Sequence, residues 1–183
     1  DTRSKRSSKE DFRKGALFSI YFSVAYVYGG VYNKISKKRQ EVFPMKDPNC
    51  GYCARGELLD AFGIVICELS VSTLILFKEQ SHPGRCIVAY KDHVSEIVNL
   101  TDEERNAFMA DVARAAKAIH AAFHPDKLNY GAYGDTGCHL HVHLVPKYRD
   151  GFEWGGVFAM NPGQTKLTDA QYAEMIEKIK AAL

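Results

Sequence analysis

Three of the chain's seven histidines stand in one run, His139-Leu140-His141-Val142-His143. In an extended strand successive side chains point to opposite faces, so the three imidazoles share one face while Leu140, Val142 and Leu144 take the other, into a core. Alternate residues on a face lie about 6.5 to 7 Å apart. A chain of phosphates laid along the strand would meet more than one imidazole. Imidazole is largely neutral at pH 7, is a competent nucleophile, and forms a phosphoramidate that water can later cleave. A plainer reading also stands: the polar face of a half-exposed strand, or a tag-like metal trap. Apolar residues in every gap favour a strand with one chemical face.

Two of the five cysteines form Cys50-Gly51-Tyr52-Cys53. Five is an odd number, and this spacing suits a metal or a reduced pair better than a disulfide framework. The expected compartment is therefore reducing, which we read as cytoplasmic. Two unpaired thiols in an N-terminal loop are the alternative.

These residues need elements to hold them. Residues 62–69 and 72–77 are short runs rich in Ile, Val and Phe, and residues 85–90 (RCIVAY) follow a Ser81-His82-Pro83-Gly84 turn, so three strands are expected in a row. Thr101 with Glu104 has the spacing of a capping box. Phe108, Val112, Ala116, Ile119 and Phe123 then recur every three or four residues until Pro125, which predicts one long amphipathic helix. Strands are expected over 128–133 and 138–145, around the Gly134–Gly137 turn. Thr168 with Gln171 opens a final helix striped by Tyr172, Met175, Ile176, Ile179 and Leu183. Strands, helix, strands and helix point to an α+β fold with an antiparallel sheet.

At 183 residues, 46% hydrophobic and 25% charged, the chain can bury one substantial core. A formal charge of +2 gives no ground for a nucleic-acid or membrane partner. A small charged ligand fits better.

Residues 1–44 differ in character and are expected to be an extraneous or disordered N-terminal extension to a domain over 45–183. The apolar run 16–32 could pass for a signal-peptide core or a short membrane anchor. It carries serines and glycines, with no obvious cleavage site before the charged run 34–39. A third reading is upstream readthrough: Gln40-Glu41-Val42 can be encoded by codons containing a bacterial ribosome-binding sequence a few codons before Met45. That reading expects the native protein to begin at Met45 or Lys46.

The run His-x-His-x-His followed by two apolar residues resembles the signature of the histidine-triad superfamily. The likeness extends to Gly134-Asp135-Thr136, to Leu144-Val145-Pro146-Lys147-Tyr148, to Asp150-Gly151 through Trp154-Gly155, and upstream to Pro83-Gly84-Arg85-Cys86-Ile87-Val88 and Lys91-x-His93. It spans roughly Cys50 to Trp154. The resemblance implies a five-stranded antiparallel sheet with a long helix and a C-terminal helix, paired as a homodimer. It also implies hydrolysis or transfer of a nucleotidyl group from adenosine phosphoramidates or dinucleoside polyphosphates.

Carried over residue by residue, the resemblance makes His141 the nucleophile, with the main-chain carbonyl of His139 holding its other ring nitrogen protonated. His143 would hydrogen-bond the phosphate. Thr136 matches a hydroxyl at the phosphate or leaving group, Asn129 an amide that acts likewise, and Asp135 a neighbouring substrate contact. Several bacterial relatives hold a structural zinc with such a cysteine pair and two histidines, here Cys50, Cys53, His93 and His139. Two Cys and two His suit a closed tetrahedral site.

The sequence departs from the pattern at Arg85, where many relatives carry a histidine near the phosphates. Arginine could clamp a polyphosphate bidentately, which favours a dinucleoside polyphosphate; it could equally be an edge-strand residue turned to solvent. The acidic or amide residue that often holds ribose has no clean equivalent around 77–80. Trp154 could cover the site or pack the tail, and His82, His120 and His124 read as turn and helix-end residues. The competing function is a nucleotide- or zinc-binding regulatory module with little catalysis. Transfer to a sugar phosphate fits less well, because those relatives carry proline between the last two histidines, where this chain has Val142.

Overall fold

The computed structural model describes residues 46–135 and 137–183. The expectations for residues 1–44, the proposed start at Met45 and the role of Thr136 lie outside the described residues.

Two one-turn helices, α1 (Gly51–Ala54) and α2 (Glu57–Asp60), lead into the strands β1 (Gly63–Glu68), β2 (Ser72–Phe77) and β3 (Cys86–Tyr90). The long helix α3 (Asp102–Phe123) follows, then β4 (Lys127–Gly131), β5 (His141–Lys147) and α4 (Asp169–Ala181). The five strands form one sheet in the order β1-β2-β3-β5-β4, with every neighbouring pair antiparallel. This is the α+β architecture expected from the sequence. No helix among the described residues is long and apolar enough to cross a membrane.

Both expected capping boxes form. Thr101 accepts from the Glu104 N–H while the Glu104 carboxylate accepts from the Thr101 N–H, and Thr168 and Gln171 repeat the arrangement on α4. These bonds satisfy amide donors that a helix start leaves open. His124 ends α3 in the left-handed region, at φ 49°, immediately before Pro125.

The sheet separates two environments. One face packs Leu74, Leu76, Val88, Val142 and Leu144 against Phe108, Val112 and Ile119 of α3 and Ile179 of α4. The other carries a smaller cluster of Leu59, Ile75, Phe77, Ile87 and Ala89. Cross-strand partners share a face, and His141 pairs with Ala89 and His143 with Ile87. The histidines therefore rise from the lightly covered face, with the large core beneath them.

The strand ends differ from those expected. β5 starts at His141 rather than at residue 138, because Leu140 breaks the ladder: its N–H donates to Val94 and its carbonyl accepts from Tyr90. It continues through Pro146 to Lys147. Leu144 is the last β5 residue paired to β3, so Pro146 lies where β4 alone is its neighbour and a missing N–H is tolerated. β4 stops at Gly131, two residues early.

Candidate active site and metal centre

Cys50 sits at the N-cap of α1, Cys53 inside it, His93 after β3, and His139 before β5. Their ligand atoms all lie within 4.8 Å of one another. Sγ of Cys50 is 3.5 Å from Nδ1 of His139, and Sγ of Cys53 is 3.4 Å from Nδ1 of both His139 and His93. Around a tetrahedral zinc with ordinary bond lengths, sulfur and nitrogen ligands stand about 3.5 Å apart. The donor set and its spacing fit such an ion. His139 Nε2 donates to the Tyr90 carbonyl at 2.7 Å, which leaves Nδ1 with the lone pair a metal needs. His93 turns its other nitrogen toward Asp47, at 3.8 Å. Burial holds His139 neutral by pulling its pKa down to about 4.

Two residues on, His141 is 7% exposed, and its Nδ1 donates to the His139 carbonyl at 2.7 Å. That bond assigns the proton to Nδ1 and leaves the Nε2 lone pair free. Burial lowers its pKa, against the upward pull of the bond to His139. Tyr52, between the two cysteines, lays its ring over both His139 and His141, with centroids 5.0 and 4.9 Å away.

His143 lies 5.1 Å from His141, centroid to centroid. It is buried, and burial, then the neighbouring His141 and the charge of Arg85, lower its pKa to about 3. Arg85 itself has no exposed surface. It is neither turned to solvent nor among the residues lining the cleft; it stands in the wall, with Nη2 3.4 Å from His143 Nδ1. Burial lowers its pKa to about 10, which leaves it charged at neutral pH.

The three histidines open onto a cleft of about 920 Å³ whose walls include Tyr52, Phe62, Phe77 and Phe158. Asp135 is among the residues that line it. Asn129 does not. It pairs with Val145, two places beyond the Gly131–His143 pair, and faces a separate hollow of about 320 Å³ with Lys127, Lys147 and Trp154. Phe158 and Tyr133 close over Gly131 so tightly that a Cβ there would stand 2.7 and 2.5 Å from their rings. That contact separates Asn129 from the triad. Trp154 borders the hollow rather than the cleft, beneath the Arg149 guanidinium at 5.9 Å.

Gln80, in the stretch that offers no clean ribose-holding residue, is buried in the turn before β3, bonding Phe77, Gly84 and Arg85. His82 is more than a turn residue: it is buried and meets Glu153 at 3.0 Å. Tyr52 and Phe158 were absent from the sequence prediction. Tyr52 carries one usable signal, its place between two metal-spaced cysteines; Phe158 lies in a segment without periodicity.

A family model described as the HIT domain matches residues 62–150. An AP-4-A phosphorylase of Mycobacterium tuberculosis is 32% identical over 106 residues, 55% of this chain and 51% of that protein. Protein hit of Bacillus subtilis is 29% identical over 93 residues, 48% of this chain and 64% of that protein. The chain thus spans about half the length of the first relative and under two thirds of the second. Among solved structures, a histidine triad protein from Sinorhizobium meliloti superposes with a TM-score of 0.65 at 21% identity, covering 70% of this chain and 95% of that one. A Zn-bound histidine triad family protein from Mycobacterium smegmatis gives 0.51 at 20% identity, covering 73% and 92%. Residues 62–150 are thus similar to the HIT domain, and the described residues share the fold of the solved histidine triad proteins.

Proposed function

We propose that the protein cleaves adenosine-type phosphoramidates or dinucleoside polyphosphates through a nucleotidyl-histidine at His141. The observation that carries this reading is the 2.7 Å bond from His141 Nδ1 to the His139 carbonyl, which leaves Nε2 as an unprotonated nucleophile beside a nucleotide-sized cleft. Nε2 attacks the α-phosphorus, and the bond from phosphorus to the leaving group breaks as the bond to Nε2 forms; a phosphate leaves as its anion, and an amine leaves after taking a proton from solvent. Water then forms a P–O bond as the P–N bond breaks. The nucleoside monophosphate leaves, and the proton released by water passes to solvent. Donors fixed in the cleft stabilise charge on the non-bridging oxygens.

The relative named AP-4-A phosphorylase supports a dinucleoside tetraphosphate among the substrates, with inorganic phosphate as an acceptor in place of water. Cys50, Cys53, His93 and His139 would hold a structural zinc, supported by their tetrahedral spacing and by the Zn-bound relative. Bound there, the ion would fasten α1 and Tyr52 to the strand that bears His141. We also propose a homodimer, supported by the open edge of β4 with Tyr130 56% exposed, and a reducing, cytoplasmic setting, supported by the free cysteine pair.

The test is release of AMP or ADP from adenosine phosphoramidate and from diadenosine polyphosphates, with and without phosphate, by the wild type and His141→Ala. Release that vanishes in the variant supports the enzyme. Binding without release by the wild type supports the regulatory module instead.

A further inference from the structure

Arg85 occupies the wall of the site with most of its bonding fixed. Its guanidinium carbon lies 4.2 Å from the ring centroid of Phe77 and 5.2 Å from that of Phe158. Nη1 donates to the Ala159 carbonyl at 3.3 Å, Nη2 reaches Met160 Sδ at 3.3 Å and His143 Nδ1 at 3.4 Å, and Nε is buried without a partner. A guanidinium offers donors only. His143 Nδ1 must therefore accept, and the proton of the neutral ring must sit on Nε2.

We propose that Arg85 is a positioning residue that holds His143 in the Nε2–H tautomer, as a neutral donor to the phosphoryl group attacked by His141. Two neighbouring imidazoles are thereby fixed in opposite tautomers. The His139 carbonyl takes the Nδ1 proton of His141 and frees its Nε2 to attack. Arg85 occupies Nδ1 of His143 and leaves its Nε2–H to donate. The wall position explains why a side chain sealed from the cleft still governs it: Arg85 acts through His143 rather than by gripping the substrate. The same charge disfavours an imidazolium at His143, so the donor keeps one form. The assignment to a phosphoryl group rests on the proposed nucleotidyl transfer; the tautomer itself does not.

The experiment is a long-range proton–nitrogen correlation of the full chain labelled with nitrogen-15 histidine at neutral pH, with His143 assigned by His143→Gln. The wild type is expected to show His143 protonated at Nε2 and His141 at Nδ1. A His143 protonated at Nδ1 overturns the proposal whatever the variants do. Arg85→Met, which keeps length but has no donor, should mix the His143 tautomers and lower kcat on the order of 10-fold with KM changed less than about 3-fold. Arg85→Gln, neutral but able to donate, should restore the single tautomer and most of kcat. Failure of Gln to rescue overturns the proposal in favour of a role for the charge itself. Absence of nucleotide turnover in the wild type defeats the proposed hydrolase and leaves the tautomer result to decide Arg85.

Discussion

Tyr52 lies tilted over His141, with ring centroids 4.9 Å apart and planes 30° from parallel. The tyrosine belongs to the turn that carries Cys50 and Cys53, so the candidate metal loop packs beside the proposed nucleophile. A metal held by Cys50 and Cys53 would also fix the ring of Tyr52 beside His141.

Cys53→Ser should therefore remove bound zinc and act at a distance. Protein purified without chelator is expected to hold about one zinc per chain by elemental analysis, as one closed tetrahedral site requires. The variant should lose it, with a melting temperature lowered on the order of 10 °C. A metal-free variant as stable and active as the wild type would refute a structural role for the site.

Tyr52 itself predicts a split between two substitutions. Tyr52→Phe keeps the stacked ring and should retain activity within about 3-fold. Tyr52→Ala removes the ring and should lower kcat/KM on the order of 10-fold or more, as expected when a packed aromatic wall is opened beside a reacting group. Steady-state rates on diadenosine tetraphosphate separate the two.

The turn between β1 and β2 depends on one buried carboxylate. Asp111 of α3 accepts from the Ser70 N–H at 3.2 Å, the Val71 N–H at 2.8 Å and the Ser72 hydroxyl at 2.7 Å. Asp111→Ala leaves three donors without their partner and should cost about 2 to 4 kcal/mol, read as a lower urea midpoint with unchanged slope. Asp111→Asn, which keeps one acceptor, should cost less.

His143 supplies a pH dependence. Its pKa falls to about 3 in the folded chain, chiefly through burial, against about 6.5 when unfolded. A base with a depressed folded pKa leaves the unfolded state binding more protons below pH 6.5. Its contribution is complete above pH 6.5 and is lost as pH falls toward 3, with a slope of about 1.4 kcal/mol per unit for one group. His143→Gln should flatten the fall in stability between pH 6.5 and 4, measured by urea titration with buried His139 still contributing in both proteins. Equal slopes would show that His143 does not titrate in this way.

The alternation of His139, His141 and His143 with apolar residues made the face and the core visible in the sequence, because a two-residue period needs no knowledge of partners. The capping boxes at Thr101 and Thr168 were legible for the same reason: each is a local bond between residues three apart. Asn129 and Arg85 were not. Whether Asn129 reaches the triad depends on the β4–β5 register and on Phe158 standing over Gly131, and neither is encoded near Asn129. Arg85 reads as a clamp or a solvent residue until Phe77 and Phe158 are seen to enclose it. The candidate metal ligands are named only through likeness to relatives, since only the Cys50–Cys53 spacing is local.

Rapid mixing of the wild type with diadenosine tetraphosphate, quenching in base and peptide mass mapping would test the role of His141 most directly. A nucleotidyl adduct on the peptide bearing His141 at early times, absent from His141→Ala, is the predicted result. Undiminished AMP release by His141→Ala, or an adduct on any other residue, would contradict it.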